Sequence, residues 1–357
     1  MRRLTVVQLL PALSSGGVER STLEVGAALV AAGHRSVVVS GGGRLVAPLE
    51  AAGSEHLTLD IGRKSPASLR HVVSLRRLFA RVDADIVHAR SRLPAWLGWH
   101  ALGARALGAR PHFVTTVHGL NSPGRYSGIM ARGERVICVS ESVRAYVLQH
   151  WPATPAARLQ VIERGIDPAQ YPRQPRYVAA DGRRMLLMPG RGTRLKGHAS
   201  AIELLAGVRA AGVDAWLWLP GALEPGRESY LGELQAQADA LGVGAQLRID
   251  PPLEDMAAVY RDCALVLQLS AKPESFGRTV VEALCSGRAV VGWDRGGVGE
   301  LLARYFPQGR VPAGDAAALL ATTLRTLAEH SPPPLVHPQT LRGMQAQTLE
   351  VYDSLVG

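Results

Sequence analysis

The stretch "ALVLQLSAKPESFGRTVVEALCSGRAVVGWDRGGVGE", residues 264–300, holds the pattern from which the fold can be read. The apolar run 264–269 reads as a buried strand, a turn carrying Glu274 follows, and a helix is expected over 275–286. A second apolar run, 289–292, leads to the glycine pair Gly296-Gly297 at another strand–helix junction. Strand, helix, strand, with apolar runs that are continuous and not alternating, predicts a parallel sheet covered on both faces. Two carboxylates, Glu274 and Glu282, stand eight residues apart in this otherwise apolar stretch. A buried carboxylate is costly unless something binds it.

The same alternation extends in both directions. Strands are expected at 4–10, 36–40, 56–59, 85–88, 113–117 and 135–139, with helices at 19–32, 65–81, 94–107 and 140–150. Gly33 closes the first helix as a C-terminal cap. Between 161 and 182 the pattern breaks into a proline-containing, aperiodic stretch that reads as a linker. Beyond it, strands are expected at 184–188, 215–219, 246–249, 264–269 and 289–292. Helices are expected at 198–211, 228–241, 253–260, 275–286 and 315–331, and a last one at 338–355 follows "SPPPLVHP". The chain therefore divides into domains 1–170 and 171–337 and a terminal helix, 338–357. Ligands of such sheets bind beyond the carboxyl ends of the strands.

Composition narrows the class. A length of 357 residues suits two domains, and 47% apolar with 20% charged residues suits a soluble globular chain. No run of eighteen apolar residues is present, so no membrane span is expected. The apolar stretch near the N-terminus is only about ten residues long and β-rich, and Gly16-Gly17-Val18-Glu19 follows it, so it reads as a first strand and not as a signal peptide. Cys138, Cys263 and Cys285 form no CxxC pair and suit buried thiols in a reducing compartment. Residues 1–172 hold 21 Lys and Arg against 11 Asp and Glu, whereas residues 173–357 hold 19 of each, so the whole net charge of +10 lies in the first half. Such asymmetry points that half toward an anionic surface. Arginine-rich base composition explains Arg over Lys but not the missing acids.

Glu274 is expected at the carboxyl end of its strand. At 100° per residue, a helix running from 275 brings Glu282 back to within about 80° of the same direction. Both could then reach one elongated ligand, and vicinal hydroxyls of a sugar or ribose suit carboxylate acceptors. The pair reads equally as a helix-capping Glu274 and a Glu282 tied to an arginine. "MPGRGTRLKGH", 188–198, places Arg191 and Lys196 at another strand–helix junction, where Gly190, Gly192 and Gly197 let backbone approach a ligand. Two cations beside a helix N-terminus suit a phosphate or diphosphate, although no GxxxxGK[ST] is present. In "LSSGGVERS", 13–21, Gly16 and Gly17 occupy a similar junction without GxGxxG spacing, and no acidic residue closes the next strand, which disfavours a nicotinamide dehydrogenase. His118 follows the strand "VTTV".

Taken together these stretches resemble the retaining glycosyltransferases of the GT-B fold, family four (glycosyl transferases group 1), over nearly the whole chain. The most specific part is Glu274-x7-Glu282 followed by "CSGRAVVGWDRGGVGE" and preceded by Arg191 and Lys196-Gly197. The resemblance implies an α/β architecture of two Rossmann-like doubly wound domains facing across a cleft, with the terminal helix crossing back to the first. It implies that Glu274, with Phe276 and Gly277 beside it, holds the donor sugar, and that Glu282 holds the ribose. Arg191 and Lys196, with Gly190, would bind the donor diphosphate, Gly16 and Gly17 would approach it from the first domain, and His118 would stand near the reacting centre. Ala289 departs from the family, which commonly has proline there. "YSGIMARGERVICVSESVRAYV" is similar, more narrowly, to bacterial enzymes that build lipopolysaccharide core or related cell-envelope glycolipids.

The expected reaction moves a hexose from a UDP- or GDP-linked sugar to a lipid-linked or lipopolysaccharide-core saccharide with retention of configuration. No Asp-x-Asp pair stands in a suitable loop, so neither a metal nor any other cofactor is expected, and the leaving diphosphate falls to Arg191, Lys196, helix N-termini and backbone N–H groups. Nucleotide-base contacts are expected around Gly221 and 251–255. The segment 63–82 intersperses Leu69, Val72, Val73, Leu75, Leu78 and Phe79 with arginines and reads either as an amphipathic helix on an anionic membrane or as an ordinary sheet-covering helix. The resulting expectation is a cytoplasmic protein, peripheral on the inner face of the membrane, that binds no nucleic acid, since 5% aromatics offer no stacking platform. A non-hydrolysing nucleotide-sugar epimerase and a non-catalytic basic binding module are the alternatives.

Overall fold

The computed structural model describes residues 2–14, 16–103, 111–175, 182–329 and 332–357. The chain forms two compact units, one of Met1–Gly165 with Leu341–Gly357 and one of Ile166–Thr340. The first runs β1 (Thr5–Leu9), α1 (Gly17–Ala31), β2 (Arg35–Ser40), α2 (Val46–Ala51), β3 (Glu55–Thr58), α3 (Arg70–Arg81), β4 (Ile86–Ala89) and α4 (Arg92–Leu102). It continues through β5 (His112–Val117), β6 (Arg135–Cys138), α5 (Glu141–His150) and β7 (Leu159–Val161). Its seven strands are parallel in the order β3-β2-β1-β4-β5-β6-β7, with Val6 opposite both Ser36 and Ile86.

The second unit runs β8 (Arg184–Leu187), α6 (His198–Ala210), β9 (Ala215–Pro220), α7 (Glu228–Ala240), β10 (Leu247–Asp250), α8 (Met256–Arg261), β11 (Leu265–Gln268) and α9 (Arg278–Cys285). It ends with β12 (Ala289–Trp293), α10 (Gly296–Tyr305), β13 (Arg310–Val311) and α11 (Ala316–Ala328). Its six strands are also parallel, ordered β10-β9-β8-β11-β12-β13. Central strands are mostly apolar because both faces are covered: all four residues of β11 and of β4 are buried, including the polar Gln268 and His88. Each fully buried aliphatic side chain contributes roughly 1.5–3 kcal/mol.

The last helix, α12 (Leu341–Val356), packs within the first unit, where Met344, Val351 and Tyr352 join the core of Val6, Leu29, Ile86 and Val114. Polar ties fix its register. Tyr352 Oη meets His88 Nδ1 at 2.7 Å, and Gln345 donates to the Glu24 carbonyl at 2.7 Å. Burial of His88, with Arg90 and Arg164 nearby, holds its imidazole well below its usual pKa, so it is neutral at pH 7.

Most expected strands form within about one residue of their expected bounds, a difference no larger than assignment itself carries. The expected helix at 65–81 divides into a short 3-10 turn, Pro66–Leu69, and α3. Its apolar residues also divide: Leu75, Leu78 and Phe79 are buried in the unit, while Leu69 and Val73 are 64% and 51% exposed. Residues 104–107 of one expected helix and 330–331 of another lie outside the described residues, as do 176–181 of the linker.

Candidate active site

In each sheet the chain proceeds outward from a central strand and then returns to that strand's other side. The reversal falls between β8 and β11 in the second unit, and such a switch point leaves a crevice at the carboxyl ends. Lys196 comes from the loop after β8 and Glu274 from the loop after β11.

Glycine brings the two loops together. Gly197 has φ +81°, and a Cβ there would lie 1.9 Å from the Leu269 carbonyl oxygen, so only glycine lets this loop rest on the end of β11. The Ala271 N–H donates to the Leu195 carbonyl at 2.8 Å and joins the loops. Lys196 Nζ then donates to Glu274 Oε1 at 2.7 Å, and Ser270 Oγ donates to the same oxygen. Glu274 Oε2 accepts no hydrogen bond among the described residues. The Lys196 stem lies beside Gly190, where a Cβ would come within 3.2 Å of it. The two charged side chains are 28% and 23% exposed, so the pair is sheltered and still reachable. Burial alone would raise the Glu274 pKa. The charge and hydrogen bond of Lys196, with the Ser270 hydroxyl, outweigh it and hold the carboxyl below its ordinary value, ionised at neutral pH.

The β12–α10 junction closes the site from the other side. Gly297 N–H donates to the Glu274 carbonyl at 2.8 Å, and a Cβ on Gly297 would meet the Phe276 Cα at 2.4 Å. This contact keeps 274–277 in an open turn. Phe276 is buried, and Gly277, at φ +109°, precedes the first residue of α9. The helix therefore starts at Arg278, not near Ser275, and Glu282 lies little more than one turn along it. No continuous helix therefore aligns Glu274 with Glu282.

Glu282 is anchored separately. It is 6% exposed, accepts from the Tyr260 hydroxyl at 3.0 Å and pairs with Arg278 at 3.5 Å, one turn back on α9. Burial, with Glu282 adding to it, pushes the Tyr260 phenol well above its usual pKa and keeps it a donor. Arg191 is exposed and makes no side-chain hydrogen bond or ion pair among the described residues. The structure thus joins Glu274, Lys196, Gly190, Phe276 and Gly277 at one site, with Glu282 held by its own partners and Arg191 on the surface. Arg295, not singled out from the sequence, belongs to the joined group. Its Nη2 donates to the Ser270 carbonyl, its Nε is buried without a hydrogen-bond partner among the described residues, and burial lowers its pKa. Its position beside Gly296-Gly297 was the signal available for it.

In the first unit the reversal falls between β1 and β4. Gly16, at φ +135°, precedes α1, and Gly17 is its first residue with open space where a Cβ would go. Arg90 follows β4, is 3% exposed, and donates to Gln8 Oε1 at 2.7 Å and Ser21 Oγ at 3.1 Å. His118 follows β5, and Arg164 Nη2 donates to its Nδ1. An arginine can only donate, so Nδ1 accepts, and the neutral ring carries its proton on Nε2. Burial first, then Arg164, Arg90 and His88, holds this imidazole well below its ordinary pKa. Among the described residues no group of three or more His, Cys, Asp or Glu could hold a metal ion, and no helix is long and apolar enough to cross a membrane.

Comparisons with known proteins agree with this architecture. Residues 15–170 match the family described as Glycosyltransferase Family 4, and residues 173–334 match Glycosyl transferases group 1. Among curated proteins none matches the chain by sequence. A glycosyltransferase from Rickettsia africae ESF-5 is 23% identical with a TM-score of 0.82, covering 100% of this chain and 99% of that one. Anabaena Alr3699/HepE in complex with UDP and glucose is 20% identical with a TM-score of 0.80, covering 99% and 100%. WaaG, a glycosyltransferase involved in lipopolysaccharide biosynthesis, is 16% identical with a TM-score of 0.70, covering 98% and 95%. These likenesses show the shared GT-B fold, and with the two family matches spanning its two halves, the chain belongs to the family-four glycosyltransferases, glycosyl transferases group 1.

Proposed function

We propose that this glycosyltransferase moves a hexose, with retention and without a metal, from a UDP- or GDP-linked sugar to a lipid-linked or lipopolysaccharide-core saccharide. The observation that carries the donor half is the sheltered Lys196–Glu274 pair at the switch point of the second sheet. That HepE is solved with UDP and glucose supports the donor class, and the likeness to WaaG supports an envelope glycan as acceptor.

In this reading Lys196 turns from Glu274 toward the diphosphate, and Arg191, lacking a partner of its own, joins it. Negative charge grows on the leaving diphosphate as the glycosidic bond breaks, so these cations stabilise the transition state more than the bound donor. Glu274, ionised and with Oε2 unoccupied, accepts hydroxyls of the donor sugar, and Phe276 and Gly277 shape the turn that holds it. Glu282 holds the ribose, with Tyr260 and Arg278 fixing its orientation. The N–H groups of Gly16 and Gly17 approach the diphosphate. His118 offers Nε2–H as a donor near the reacting centre and does not act as a base while Arg164 occupies Nδ1. The acceptor hydroxyl attacks on the face the diphosphate leaves and passes its proton to the departing diphosphate oxygen.

The exposed Leu69 and Val73, set among Arg63, Lys64, Arg70 and Arg77, support peripheral contact with an anionic membrane on the cytoplasmic side. The buried Leu75, Leu78 and Phe79 limit that contact to a narrow strip.

Incubation of the purified chain with radiolabelled UDP- and GDP-sugars tests the reading. Slow release of free sugar from one donor is expected without an acceptor, and a glycolipid acceptor should speed nucleotide diphosphate release while the label passes to the glycolipid. Interconversion of the sugar without release would favour an epimerase, and no turnover of any donor would contradict the proposal.

A further inference from the structure

One pocket of the first unit has no part in the chemistry above. It has a volume of about 770 Å³, and its walls include Trp96, Trp99, Arg125, Arg132, Trp151 and Arg158. Its position follows from the topology. The Trp99 ring packs edge-on against Phe113, near the start of β5, at 5.5 Å. Trp151 comes just after the end of α5, and Arg158 just before β7. In a parallel sheet these points lie at the amino edge, opposite Gly16, Arg90 and His118.

The lining combines two features. Three of the chain's six tryptophans meet here. Their rings are held: Trp96 Nε1 donates to the Tyr126 carbonyl at 2.9 Å, and Trp151 Nε1 donates to the Gly124 carbonyl at 3.4 Å. Among the described residues three arginines also line it, and no aspartate or glutamate does. None of the three guanidiniums makes an ion pair or a side-chain hydrogen bond among the described residues. Arg132 lies over the Trp96 and Trp99 rings, 5.6 and 5.7 Å from their centroids, which fixes the cation at the wall and leaves its N–H groups unused.

Oriented guanidiniums without an acid suit a phosphate or carboxylate, which they bind through paired N–H donors. Indole faces suit the C–H face of a pyranose ring. The volume lies in the range of small-ligand pockets. We propose that this pocket is a second saccharide site, separate from the donor site, for a sugar bearing a phosphate or carboxylate. That the occupant is a sugar rests on the glycosyltransferase assignment; binding is read without turnover, so failure here leaves the donor reading untouched.

The test is tryptophan fluorescence of the full chain, with UDP present at saturation to occupy the donor site. Probes are glucose 6-phosphate, glucuronate, neutral maltose and inorganic phosphate. A saturable change with glucose 6-phosphate or glucuronate is expected, screened by salt, absent with maltose and much weaker with phosphate alone. Glucose 6-phosphate and glucuronate separate the two anion types. In Arg132→Ala/Arg158→Ala the affinity falls at least about tenfold, a difference of about 1.4 kcal/mol, whereas Lys196→Ala binds as the parent does. If the double variant loses its fold, Arg125→Ala, on an exposed side chain, carries the same comparison. The proposal is overturned if neither charged sugar gives a saturable change or if the arginine variants respond as the parent does. It is also overturned if vesicles of anionic phospholipid give the arginine-dependent response and the charged sugars do not.

Discussion

The carboxyl edges of the two sheets are built alike and charged differently. In the second unit the switch-point loops meet as a compensated pair, with Lys196 on Glu274, Ser270 on the same oxygen and Arg295 on the Ser270 backbone. In the first unit the same topological position holds Arg90 on Gln8 and Ser21, and His118 on Arg164. One edge keeps a reachable carboxylate–ammonium couple, whereas at the other Arg90 is buried and bonded to neutral side chains, with the Glu24 carboxylate acting on it through space. The difference teaches that a shared strand order supplies only the crevice, and loop residues decide its chemistry.

Substitutions should separate the edges. The largest effect is expected at the compensated pair: Glu274→Ala or Lys196→Ala should lower turnover of the donor sugar by roughly 100- to 1,000-fold, the scale of losing one oriented charge at a reacting centre. The double variant should lose less than the product of the two, because the residues act as a unit. Steady-state kinetics on variants with intact circular dichroism checks both. Equal losses from Arg90→Ala and Lys196→Ala would erase the contrast between the edges.

Next come the glycines that bring the loops together. Gly197→Ala and Gly297→Ala place a methyl 1.9 and 2.4 Å from backbone atoms, and each should cost about 2–4 kcal/mol in denaturant unfolding. Gly17→Ala, with open space at its Cβ, should cost under about 1 kcal/mol.

These contacts mark how far the sequence could be read. Continuous apolar runs revealed both sheets because parallel strands buried on two faces leave no other pattern. The short strands β7 and β13 went unseen, at three and two residues, and α2 is only six residues long with Pro48 inside it. The start of α9 was misplaced because Ser275 looks like an N-cap, whereas Gly297, twenty-two residues on, decides where the turn ends. Lys196 and Glu274 were found through their strand–loop–helix positions. The Tyr260–Glu282 bond and the tryptophan–arginine pocket were not, since their partners come from separate elements and no local spacing betrays them.

Acidification should destabilise the second unit. Burial pushes His198, fully buried at the start of α6, down to about 4. Between the unfolded value near 6.5 and that value, the unfolded chain binds the proton and the folded chain does not, so stability falls as pH falls through this window. The loss from His198 is at most about 3 kcal/mol at 1.36 kcal/mol per pH unit. Glu274, with its pKa lowered in the fold, adds to the loss at lower pH as its carboxylate protonates. Thermal melts at pH 7, 6 and 5 should show decreasing midpoints, with a shallower slope in His198→Gln. At α12, Tyr352→Phe removes the hydroxyl bonded to His88 and should cost about 1–3 kcal/mol without changing donor turnover.

The central claim is that Lys196 and Glu274 form the donor centre, and UDP binding by isothermal titration calorimetry tests it most directly. The parent chain should bind UDP, and Lys196→Ala, with an unchanged melting profile, should bind it at least about tenfold more weakly. A folded Lys196→Ala that binds UDP as tightly as the parent would contradict the account.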